Sequence, residues 1–114
     1  MTRFDARQLS WPKCRALAEG GAVALLPVGS TEAHGPHLPL SVDVVIAEDV
    51  CRRVAARLSR DVVQFPPVTY ALTDFAAPFA GTVTLNADVA RQMLQGILSG
   101  IVSAGFKEIG RAHV

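Results

Sequence analysis

The sequence lacks an apolar run long enough to cross a bilayer. Its longest apolar stretches lie around residues 22–28 and 97–101, far short of the ~18 residues a span requires. The opening MTRFDARQLSW carries an acid at Asp5 and no apolar segment, so it does not read as a secretory leader. An excess of one charge is also missing. Eleven Lys and Arg against ten Asp and Glu leave +1, which builds no field for nucleic acid or an anionic membrane. Cysteine is scarce: Cys14 and Cys51 stand far apart, neither in a CxxC pair. Both read as small core residues of a reduced, cytoplasmic protein. Charged residues make up 18% and hydrophobic ones 50%, which excludes disorder for most of the chain. The 114 residues hold one domain at most.

What is present alternates between helix and strand patterns. Ser10 stands as N-cap of a short helix over residues 11–18, with Pro12 in its first turn and Gly20-Gly21 at its end. Residues 22–28, AVALLPV, form a continuous apolar run of strand length, as in a strand buried on both faces. A Gly- and Pro-bearing loop follows over residues 29–41. Then Ile46, Val50, Val54 and Leu58 repeat every four residues beside Ala47, Cys51 and Ala55, which predicts a helix with that stripe inward. Asp43 falls at its N-cap or in its first turn. Residues 62–65 read as a strand, 68–81 are weakly patterned, and 82–85 read as a short strand. Asn86 caps a helix over residues 87–104, apolar along Val89, Met93, Leu94, Ile97, Leu98, Ile101 and Val102, and Gly105 stops it. Residues 106–109 begin another strand. This order is that of an α/β domain with a mostly parallel sheet and right-handed crossovers.

The loop after the first apolar strand carries the chemistry. Ligands of open α/β sheets sit beyond the carboxyl ends of the strands, and Glu32, His34, His37 and Asp43 lie there. Residues two apart in an extended stretch share a side, so Glu32 and His34 can reach one point, and Asp43 can meet them from the helix start. Carboxylate and imidazole donors without thiol suit zinc, manganese or iron. Taken singly, each has a plainer explanation. Glu32 can be a solvated acid, His34 a hydrogen-bonded loop histidine, Asp43 a cap, and His37 loop packing. Residues 29–35 have the glycine spacing of a phosphate-binding loop, but Pro36-His37 stands where Lys-Ser/Thr belongs. Ser30 lacks the context of a hydrolase nucleophile.

The run LPVGSTEAHGPHLPLSVDVVIAE, residues 26–48, resembles the creatininase (creatinine amidohydrolase) family. Gly29, Ser30, Glu32, His34, Gly35, His37, Leu38, Pro39 and Asp43 all match its signature. Residues 66–82 are similar to the family's next landmark, with Ala80 in place of a proline. Ala33 stands where many members have Gln, a departure that speaks against creatinine as the substrate but not against the amidohydrolase chemistry. The resemblance implies a three-layer α/β sandwich and hydrolysis of a C–N amide bond by metal-activated water. It implies two divalent ions (Zn, Mn or Fe), with Glu32 on one, His34 on the other and Asp43 bridging. His37 would stand behind the ligands or face substrate. The substrate would be a small-molecule or peptide amide, and the full-length parent a homo-oligomer.

Family members are about twice as long, and their remaining ligands follow the strand that begins near residue 106. Residues 1–108 are therefore expected to be the N-terminal portion of one creatininase-like domain. The IGRAHV of residues 109–114 reads as a non-native, adapter-derived tail. Such a fragment is expected to be inactive and to leave apolar helix surface uncovered. The competing expectation is a non-catalytic α/β binding or assembly module that keeps the loop for structure.

Overall fold

The structure, a computed structural model, describes residues 3–114. Its frame is a parallel sheet of strands β1 (Arg3–Asp5), β2 (Val23–Val28), β3 (Val62–Gln64) and β4 (Ile109–His113) in the order β1-β3-β2-β4. Helices α1 (Trp11–Glu19), α2 (Val42–Arg57) and α3 (Ala87–Ser103) complete it. β2 lies inside the sheet and every one of its residues is buried, as its unbroken apolar run requires. Its side chains alternate between the two faces of the sheet. Ala24, with Ala22 just before the strand, joins Leu17 and Ala18 of α1, Ile101 of α3, Val63 and Phe106 on one face, and Leu26 and Val28 cluster with Val68. Val23 and Leu25 meet Cys51 and Ala55 of α2 and Val62 on the other. This is the parallel α/β arrangement that the residue pattern predicts and the three-layer architecture that the family resemblance implies. Among the described residues, no helix is long and apolar enough to cross a membrane.

Three local expectations need correction, and one strand goes beyond them. The inward stripe of α2 is the small one, Val44, Ala47, Cys51 and Ala55, while Ile46, Val50 and Val54 stay partly in solvent. Small side chains let the helix axis approach the sheet closely, so the larger stripe is rotated outward. Residues 82–85 make only isolated bridges, Thr31 with Val83 and Ala71 with Thr84. The last strand begins later than expected, at Ile109, because Phe106 turns into the core and meets Phe65 edge-on at 5.6 Å. The edge strand β1 was not foreseen: its three residues, RFD, carry no periodic signal.

The caps divide. Asn86 accepts from the Val89 N–H and caps α3 as read, whereas Ser10 precedes α1 without a side-chain cap bond. On α3 only Ile101 is buried, and Val89, Leu98 and Val102 are exposed. Cys51 is buried and Cys14 half-buried, and both are free thiols.

Candidate metal centre

The site forms where β2 ends against the start of α2. At Gly29 the two backbones touch: a Cβ there would lie 2.7 Å from the Val44 nitrogen and 2.9 Å from the Asp43 carbonyl carbon. Only glycine permits that approach, and it brings Asp43, in the first turn of α2, beside the outgoing loop. The loop is pinned by threonines. The Thr31 hydroxyl donates to the Thr69 carbonyl at 2.8 Å, and the Ala33 N–H donates to Thr82 Oγ1 at 2.9 Å.

Glu32, His34 and Asp43 converge, with one donor atom of each within 4.8 Å of the others. His34 Nε2 lies 3.2 Å from Asp43 Oδ1 and 4.0 Å from Glu32 Oε1. The outward atoms are all occupied. Ser30 Oγ donates to Asp43 Oδ2 at 2.9 Å. Thr73 Oγ1 donates to Glu32 Oε2. His34 Nδ1 lies 3.1 Å from the Glu32 carbonyl oxygen, which can only accept, so Nδ1 carries a hydrogen. In the neutral ring Nε2 therefore presents a lone pair to a carboxylate, and two acceptors so placed need a cation between them. A proton or a divalent metal meets that need, and the donor set fits zinc, manganese or iron.

The titration directions agree. Glu32 is raised by the adjacent Asp43 carboxyl group, with which it would share a proton, and by burial. Burial pushes Asp43 up, but the neighbouring Glu32 carboxyl group, the Ser30 hydrogen bond and the charge of His34 outweigh it and leave Asp43 lowered. His34 is raised by its bond to the Glu32 carbonyl and by the two carboxylates, against some desolvation.

His37 is not part of this cluster. It is exposed, with its ring against Gly35, where a Cβ would come within 3.2 Å of it. The contribution of Thr73 was invisible in the sequence, since it lies in the weakly patterned stretch and reaches Glu32 only through the tertiary fold. Ser30 could have been found from its place in the motif, but only its fitness as a nucleophile was weighed. Beside the cluster lies an apolar groove of about 460 Å³ walled by Ala33, Leu40, Phe75, Ala76 and Phe79.

The creatininase family model, described as creatinine amidohydrolase, matches residues 7–110. The chain is similar to the mycofactocin precursor peptide peptidase of Mycobacterium ulcerans (strain Agy99), 42% identical over 77 residues, covering 61% of this chain and 31% of that protein. It is similar to the creatinine amidohydrolase of Pseudomonas putida, 30% identical over 106 residues, covering 90% and 41%. A solved structure described as creatininase Mn superposes with a TM-score of 0.84 at 28% identity, covering 96% of this chain and 45% of that one. The chain thus spans less than half the length of each of these relatives.

Proposed function

The chain belongs to the creatininase family, and from that premise we propose that it supplies part of the metal centre of an amidohydrolase. The bond cleaved is a C–N amide in a small molecule or a peptide. The observation that carries this is the inward convergence of Nε2, Oδ1 and Oε1 while each partner atom is held by the protein. Glu32 and His34 would each hold a different divalent ion, and Asp43 would bridge them. Such ions supply Lewis acidity toward the amide carbonyl and lower the pKa of water.

This chain's own residues then orient and seat. The Nδ1 hydrogen bond fixes the tautomer of His34. The groove beside Ala33 would offer an apolar seat to part of the substrate, and His37, which is exposed, would face substrate or stand behind the ligands. The remaining ligands would come from sequence that the longer relatives have. A homo-oligomer in the cytoplasm, using zinc, manganese or iron, completes the proposal.

Equilibrium dialysis of the 114-residue chain against Zn²⁺ and Mn²⁺ tests it. Stoichiometric retention by the wild type and its loss in Glu32→Ala and His34→Ala are the expected results. No amide turnover is expected from this chain alone. Metal content unchanged by both substitutions would sink the proposal and leave a non-catalytic binding module.

A further inference from the structure

We propose that Thr73 is a positioning residue of the metal centre, whose hydroxyl selects the oxygen of Glu32 that faces the cation. This rests on the metal-centre reading above. The terminal torsion of a glutamate is broad and roughly two-fold, so a free Glu32 could present either oxygen or both. Thr73 removes that freedom. It is only 2% exposed, its hydroxyl donates to Oε2, and Oε1 is left toward His34 Nε2.

Ser30 does the same for Asp43, donating to Oδ2 while Oδ1 faces the same imidazole nitrogen. Two buried hydroxyls on two carboxylates, each on the oxygen turned away from the imidazole, form one repeated device. They differ in origin: Ser30 follows β2 directly, whereas Thr73 comes from a distant loop. That loop is itself fixed. The Thr73 N–H donates to Thr84 Oγ1 at 2.8 Å, and Thr84 Oγ1 donates to Asp74 Oδ1 at 2.9 Å. It also carries Phe75 and Phe79 of the apolar groove, so one hydroxyl ties the wall of the groove to a metal ligand.

Zinc affinity by chelator competition and the absorption spectrum of the Co²⁺ form test this on the 114-residue chain. Thr73→Val is expected to weaken zinc binding roughly 10- to 100-fold, the usual scale for a group that orients a ligand, and to change the Co²⁺ spectrum. Thr73→Ser is expected to restore both. Where T73V fails to fold, Thr73→Ala takes its place under the same outcomes. Wild-type affinity and spectrum in the hydroxyl-free variant would overturn the proposal, as would equal weakening in T73S. A wild type that binds no zinc, or a Glu32→Ala variant that binds it equally well, fails the metal-centre reading itself and this proposal with it.

Discussion

The carboxyl end of β2 and the outer side of α3 treat their side chains in opposite ways. At the first, polar groups are buried and matched: Ser30, Glu32, Asp43 and Thr73 are each less than 9% exposed and hydrogen-bonded. Among the described residues no buried side-chain N or O lacks a partner. At the second, apolar groups stand in water: Val89 is 47% exposed and Val102 59%. Phe75 and Phe79, at 80% and 61%, repeat this around the groove. The geometry of the Glu32, His34 and Asp43 cluster is thus set by contacts within this chain. The apolar surface of α3 adds little to stability, because such surface contributes only when removed from water.

Truncation on the two sides separates them most sharply. Leu26→Ala, on a residue 2% exposed in β2, is expected to cost about 3 kcal/mol. Leu98→Ala, on the 39%-exposed face of α3, should stay within about 0.5 kcal/mol. Urea unfolding of both variants checks this, and equal costs would erase the distinction. Next in size is Gly29→Ala, whose Cβ meets backbone that cannot swing aside. Overpacking of this kind costs about 2 kcal/mol. Because it pushes Asp43 from Glu32 and His34, zinc affinity should fall with stability, which Leu98→Ala would not cause.

The smallest effect is electrostatic and lies away from both regions. Asp5 is lowered chiefly by the side-chain hydrogen bond from Arg7, at 2.9 Å from Nη2. A carboxylate lowered on folding stabilises above its unfolded pKa, and that contribution is lost as pH falls below ~4. Wild type should exceed Asp5→Asn by about 0.5 kcal/mol at pH 6, with the gap closing toward pH 2. Parallel denaturant curves at the two pH values measure it.

Legibility in the sequence followed how local each signal was. β2 announced itself by an unbroken apolar run, α3 by its stripe and Asn86, and the candidate site by Glu32, His34 and Asp43 within one short stretch. The inward face of α2 was misjudged because side-chain size outweighed fit. The Ile46–Val50–Val54 stripe is more apolar, but Ala47, Cys51 and Ala55 allow the closer approach to Val23, Leu25 and Val62. β1 is too short for a period, and it pairs with β3, far along the chain. Thr73 was out of reach for a similar reason, since nothing near it in sequence marks the carboxylate it serves.

The all-parallel ladder also governs the order of events in folding. Among the described residues no strand pairs with one reached through a tight hairpin: Val23 of β2 must wait for Val62, Arg3 of β1 waits for the same residue, and Ala24 waits for Ile109. Each pairing closes a long loop before any ladder bond rewards it, which places the chain among slow folders. On the ribosome β1 and β2 leave the exit tunnel without a sheet partner. Helix α1 between them is then the first element able to form, and the cluster of Glu32, His34 and Asp43 can be finished only after β3 and the loop carrying Thr73 have followed.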